Sequence, residues 1–160
     1  MQTLDLHGMY HEAVQRNVEN FVLLNDGPMR IITGNSSTMK EIVTEILLQH
    51  DVIVFQFPFY WYSSPALLKE WIDVVLTTDF AYEDTHMLKG KKFLVTTTAG
   101  ASEKTYKEGG TTIENFLVIY EALSEDILVE YQKPFIVHSS FVITENELKT
   151  TTNNYKEYLE

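Results

Sequence analysis

Residues 51–76 read DVIVFQFPFYWYSSPALLKEWIDVVL. Val52, Ile53, Val54, Phe55 and Phe57 form a nearly unbroken run of β-favouring apolar side chains, as expected of a strand covered on both faces within a parallel sheet. Pro58 ends the run, because proline has no N–H to give a ladder. Four aromatic residues follow, Phe59, Tyr60, Trp61 and Tyr62. Ser64 then offers a capping hydroxyl, and Pro65 is the residue favoured at a first helical position. Leu67, Leu68, Trp71, Ile72, Val75 and Leu76 recur at helical spacing and predict one wide apolar face. The aromatic loop therefore emerges at the carboxyl end of a buried strand, which is where open α/β sheets hold ligands.

The same alternation extends in both directions. Upstream, residues 3–8 (TLDLHG) predict a short strand ending at a glycine. A helix follows from about Glu12, with Val14, Val18, Phe21 and Val22 on one face. Asn25, Asp26, Gly27 and Pro28 are turn chemistry, and residues 29–33 (MRIIT) predict a second strand. Thr38 with Glu41 is spaced as a capping box for a helix striped by Met39, Ile42, Val43, Ile46 and Leu47. Downstream, residues 93–97 predict a fourth strand, residues 98–110 a polar loop, and Thr111 with Glu114 the cap of a helix carrying Ile113, Phe116, Leu117 and Tyr120. Residues 135–138 predict a fifth strand, and Thr144 with Glu147 caps a last helix whose Tyr155 and Leu159 face inward. Short strand–helix connections call for right-handed crossovers and parallel strands. The expected fold is a three-layer α/β/α domain over residues 1–160, a doubly wound parallel five-stranded sheet of order 2-1-3-4-5, with residues 4–6 flanked by 29–33 and 52–57.

Composition narrows the function classes. The 160 residues suit one domain with a real core. The formal net charge is −11 and neither end of the chain is basic, so nucleic acid is not an expected partner, since its affinity rests on neutralising phosphates with Lys and Arg. No cysteine is present, which removes disulfides, thiolate metal sites and cysteine nucleophiles. No signal peptide or bilayer-length apolar run is evident, so no membrane association is expected and the cytoplasm is the default location. His11, His50, His86 and His138 show no metal spacing among themselves, and Asp5 with His7, on the same strand face, offers at most a weak ion site.

PFYWYSSPALLKEWID, together with FAY at 80–82, LKGKKFLVTTTAG at 88–100 and PFIVHSSFVITENEL at 134–148, resembles the flavodoxin-like NAD(P)H–quinone oxidoreductases, relatives of the modulator of drug activity B. The resemblance implies a flavin, FMN or FAD, whose ring lies between the loops after the third and fourth strands, with NAD(P)H as the reductant and a homodimer as the assembly. It places the ring against Phe59, Tyr60, Trp61 and Tyr62, and against Thr97, Thr98, Gly100, Tyr106, Gly109 and Gly110, with Ala99 where a second glycine is common. Aromatic faces suit a flat ring; the alternative is that Phe59 and Trp61 pack under neighbouring loops or across a dimer interface. The loop after the first strand, which would hold the flavin phosphate, departs from the family. Its residues are His7, Gly8, Met9, Tyr10 and His11, without serine or threonine, and Glu12 opens the helix with the wrong sign. Absent or weak flavin binding is the expectation. Val74 stands where the family commonly has arginine.

The first fifty residues resemble something else. LDLHG, the EAV helix with VENF, and IITGNSSTMKEIV are similar to an Smr (small MutS-related) domain, although the loop of Gly34, Asn35 and Ser36 lacks that family's cation. That loop, with Ser37, also has the form of an anion cradle, the alternative being helix capping. His7 is a candidate base carried by the Smr resemblance, against a histidine that hydrogen-bonds locally. The two resemblances meet near His50 and Asp51. The expectation is thus a chimera on a quinone-reductase scaffold, made by recombination in the laboratory or fused naturally. The alternatives are an active flavin-dependent NAD(P)H–quinone oxidoreductase and an Smr-like nucleic-acid-binding module.

Overall fold

The structure, a computed structural model, describes residues 2–5, 13, 16–17, 29–32 and 37–159. In chain order its elements are β1 (Gln2–Asp5), β2 (Met29–Ile32), α1 (Ser37–Gln49), β3 (Val52–Pro58), α2 (Ala66–Val75), β4 (Lys92–Thr98), α3 (Glu103–Glu108), α4 (Ile113–Asp126), β5 (Glu130–Tyr131), β6 (Phe135–Val137) and α5 (Glu145–Leu159). Ala13, Arg16 and Asn17 are helical, in line with the helix expected from about Glu12. The turn at 25–28 and the loops at 7–11 and 34–36 lie outside the described residues. No described helix is long and apolar enough to cross a membrane.

Among the described residues every strand pairing is parallel. β1 pairs with β2 from Gln2↔Met29 to Asp5↔Ile32, and β3 pairs with β4 along its whole length, from Val52↔Lys92 to Pro58↔Thr98. On its other edge β4 pairs with β5 and β6. Among the described residues β1 makes no ladder with β3, so the 2-1 and 3-4-5 parts of the expected order stand as two parallel sets. The expected fifth strand is split in two. Between paired positions β4 advances from Phe93 to Thr96 while the outer chain advances from Tyr131 to Phe135, one residue further. The extra residue is a bulge, and it falls beside Pro134, which cannot donate to the ladder.

The register places Ile53, Phe55 and Phe57 beside Phe93, Val95 and Thr97 on one face, and Val54 and Gln56 beside Leu94 and Thr96 on the other. The first face carries the main core. Phe55 meets Phe93, Trp71 and Tyr120 edge-on at centroid distances of 4.9, 5.5 and 6.1 Å. Ile113 and Leu117 of α4, Val75 of α2 and Val43 of α1 complete it. α5 covers the second face, where Thr96 and Gln56 both hydrogen-bond Tyr155 Oη. Five residues of β4 in a row, 93–97, are buried, as a strand with helices on both faces should be.

Several helix starts differ from expectation. Pro65 is the N-cap of α2 rather than its first residue, and no side chain caps that helix. Leu67, expected on the apolar face, is exposed. α1 already includes Ser37, so Thr38 stands inside it and not at its cap. The cap of α4 lies one residue later than the expected Thr111–Glu114 pair, with the Thr112 N–H donating to Asn115 Oδ1 at 2.9 Å. Asn and Glu are both competent acceptors there, and the packing of Ile113 into the core sets the register. The box at α5 is as expected: Thr144 N–H donates to Glu147 Oε2 at 2.8 Å, and Glu147 N–H to Thr144 Oγ1 at 3.3 Å. The Thr144 hydroxyl, which also donates to Glu147 Oε2 at 2.6 Å, and then the Thr144 N–H hold the Glu147 carboxyl below its usual pKa.

Candidate functional site

The chain leaves β3 at Pro58 while Phe59 N–H still donates to Thr98 O at 2.8 Å. Tyr60 and Ser63 then exchange backbone hydrogen bonds, each 2.9 Å, around a two-residue turn. Trp61 and Tyr62 have φ of 47° and 64°, the left-handed pair that a type I′ turn requires. Side chains other than glycine hold that conformation at a cost on the order of 1–3 kcal/mol each, and such residues cluster at functional sites. The turn presents aromatic surface to solvent: Trp61 is 94% exposed, Tyr62 60% and Tyr60 57%. Phe59 does the opposite. It is buried against Phe116, Tyr106 and Tyr62 at 5.8, 6.2 and 6.4 Å and forms the footing of the turn rather than its surface.

Beyond β4 the backbone alternates sides. Thr98 O accepts from the β3 side, and Ala99 bonds the β6 side, its N–H donating to Val137 O at 2.8 Å and its carbonyl accepting from Ser140 N–H at 2.9 Å. Gly100 N–H therefore points back toward the β3 side. There the ladder has opened because the chain after Phe59 turns into the hairpin. Among the described residues Gly100 N–H has no acceptor. A free donor thus lies next to an exposed aromatic turn.

The remaining expected residues divide. Thr98 is exposed at the same edge. Thr97 is fully buried and spends its hydroxyl on Phe57 O at 2.8 Å, so its side chain belongs to the sheet. The expected polar loop contains α3, capped by Ser102 Oγ accepting from Thr105 N–H at 3.1 Å. Gly109 and Gly110 end that helix, Gly110 with a left-handed φ of 79°. Tyr106, on α3, is half-buried; burial first, and then the nearby Tyr62 phenol, raise its pKa and keep the hydroxyl protonated.

A third loop, after β6, was not singled out from the sequence as part of the site. His138 approaches Tyr106 at a ring distance of 6.0 Å, and the following residues fold back over Gly100. Position was the available signal, since HSSF directly follows a parallel strand's carboxyl end. His7 and Gly34–Ser36 lie outside the described residues. Among those described, no cluster of His, Asp or Glu could hold a metal ion.

Flat aromatic surface, an N–H without an acceptor among the described residues and a protonated phenol all lie in the loops beyond β3 and β4, and this chemistry fits the ring of a flavin. The sequence profile of the family described as flavodoxin-like fold matches residues 2–159. The chain belongs to the flavodoxin-like family. One profile runs through His50 and Asp51, and the matches support the flavodoxin-like family while giving no evidence of an Smr domain or of a join. The chain is 36% identical over 119 residues to the uncharacterized NAD(P)H oxidoreductase YrkL of Bacillus subtilis (strain 168), covering 72% of this chain and 68% of YrkL. It is similar to the crystal structure of an NADPH-quinone reductase from P. pentosaceus, with a TM-score of 0.76, 27% identity, and 99% and 97% of the two chains covered. The fold also matches general stress protein 14 from Treponema denticola, crystallised with FMN, at a TM-score of 0.69, 23% identity, and 99% and 94% coverage.

Proposed function

We propose that this chain is a flavin-dependent NAD(P)H–quinone oxidoreductase of the cytoplasm, holding its flavin mainly by the ring. The observation that carries this reading is the exposed aromatic turn beside the free Gly100 N–H, at the carboxyl edge of β3 and β4 in a chain of the flavodoxin-like family. Relatives named as NAD(P)H oxidoreductase and NADPH-quinone reductase support the chemistry, and FMN in a structure of the same fold supports the cofactor. When bound, a flavin would accept hydride from NAD(P)H and return it to a quinone. The protein's part is placement. Tyr60, Trp61 and Tyr62 would wall the ring, Gly100 N–H would donate to a ring acceptor, and Tyr106 Oη would donate a second hydrogen bond with its proton retained. Thr98 would close the polar edge. A homodimer covering the exposed turn remains part of this proposal.

The phosphate is expected to contribute little. The loop at residues 7–11 has no hydroxyl from serine or threonine and is followed by Glu12. Each missing charge-assisted hydrogen bond to a phosphate is worth on the order of 1.5–3 kcal/mol. Fluorescence-quenching titrations with FMN and riboflavin test both points. Both should bind, with riboflavin nearly as tight as FMN, and NADPH should then reduce menadione in the loaded protein. No quenching by either flavin would overturn the flavin reading. Strong preference for FMN would show that the first loop does cradle the phosphate.

A further inference from the structure

We propose that Phe141 is a second aromatic wall of the ring site, standing over Gly100 on the flank of β4 opposite the Tyr60–Ser63 turn. The ligand class is a planar heteroaromatic ring, so the proposal rests on the flavin reading and deepens it. β3 and β6 pair with opposite edges of β4, so the loops that follow them flank the residues that follow β4. The loop after β6 is fastened to that floor. Ser139, with a left-handed φ of 56°, donates its N–H to Ala101 O at 3.1 Å, and Ser140 donates to Ala99 O at 2.9 Å. Val142 N–H donates to Ser139 O at 3.0 Å and closes a turn with Phe141 at its third position. His138 adds its ring contact with Tyr106, and the Thr144–Glu147 box anchors the chain beyond.

Phe141 is 88% exposed, yet it is not a side chain trailing in water. A Cβ built on Gly100 would stand 2.3 Å from Phe141 Cε2, 2.7 Å from Cδ2 and 3.4 Å from Cζ. The ring edge thus occupies space that only a glycine leaves open. That glycine is the residue whose N–H is free on the hairpin side. An exposed apolar ring lying against Gly100, beside an N–H with no acceptor among the described residues, is surface suited to a flat partner with a polar edge. Its removal should cost the fold little, since exposed side chains of this kind contribute little to stability.

The test is riboflavin binding, followed by fluorescence quenching, in wild type, Phe141→Ala, Phe141→Tyr, Gly100→Ala and the Gly100→Ala/Phe141→Ala double variant, with thermal melts run beside them. Riboflavin isolates the ring from the phosphate. Phe141→Ala should weaken binding roughly five- to tenfold, the size of an aromatic contact, and Phe141→Tyr should bind as wild type does. Gly100→Ala should weaken binding by pushing the Phe141 ring aside, and should have a much smaller effect once Phe141 is already alanine. Unchanged affinity in Phe141→Ala, or an equal effect of Gly100→Ala in both backgrounds, would overturn the proposal while leaving the flavin reading intact. Failure of the wild type to bind riboflavin and FMN would overturn both.

Discussion

The two faces of β3 and β4 are covered by different means. Ile53, Phe55, Phe57, Phe93 and Val95 lie under α2 and α4 in an aromatic cluster whose partners meet mostly edge-on. Tyr131 joins that cluster with its hydroxyl buried and unpartnered. The opposite face meets α5 through hydroxyls at Thr96 and Gln56, and beside them Phe135 packs on the rings of Tyr155 and Tyr158 at 5.0 and 5.7 Å. Thr96 Oγ1 donates to Tyr155 Oη at 3.3 Å, Tyr155 Oη donates to Gln56 Oε1 at 3.1 Å, and Tyr158 Oη donates to Lys133 O. Only Thr151, Tyr155 and Leu159 of α5 are partly buried, and the rest of the helix is exposed. Apolar burial is non-directional and accumulates with area, whereas a hydrogen bond adds about 1 kcal/mol net and fixes a position. One face therefore holds the sheet together, and the other sets where the last helix lies.

The largest effect is expected on the aromatic face. Trp71 is half-buried and meets Phe55 edge-on at 5.5 Å, so Trp71→Ala should cost about 3 kcal/mol, near the low end for large aromatic truncations. Denaturant titration measures it, and a midpoint that does not move would show that α2 adds nothing to this core. On the other face Tyr155→Phe removes two hydrogen bonds and little area. A loss of about 1–1.5 kcal/mol is expected by the same titration; a loss equal to that of Trp71→Ala would erase the contrast between the faces.

The smallest effect at neutral pH belongs to Tyr131. Burial, helped by Glu121 and the Tyr120 and Tyr158 phenols, pushes its pKa from 10.0 up to about 12. A folded pKa above the unfolded one contributes stability that is complete below pH 10 and is lost as pH rises toward 12. Tyr131→Phe should therefore flatten the decline of stability across that window. At pH 7 it should change stability by less than about 1 kcal/mol, because the hydroxyl it removes has no partner to lose. Melting curves from pH 7 to pH 12 for both proteins decide it; parallel curves would place the alkaline loss elsewhere.

Much of the proposed site was placed from the sequence because its loops sit where strands end. The apolar run at 52–57 and the proline after it located β3 and its loop, and the hydroxyl-rich stretch after 97 located the loop beyond β4. The roles within those loops were not legible. Phe59 and Trp61 are neighbouring aromatics with opposite fates: Phe59 is buried by Tyr106 and Phe116, and Trp61 is turned out by a left-handed backbone. Thr97 and Thr98 differ in the same way through the alternation of the strand.

The sequence by itself determined the succession of strands and helices, the parallel α/β class, the loops at which a ligand would sit and the cap of α5. Each is written in residues a few positions apart, through periodicity, turn chemistry and capping spacing. Whole-chain similarity, not local pattern, decided that residues 2–159 form a single family match, since short strand–helix units of different families share the same grammar. The tertiary structure alone decided the split of the last strand around its bulge, the free N–H of Gly100 and the approach of Phe141 to that glycine. Those depend on which distant segments lie side by side, and no local spacing in the chain encodes such contacts.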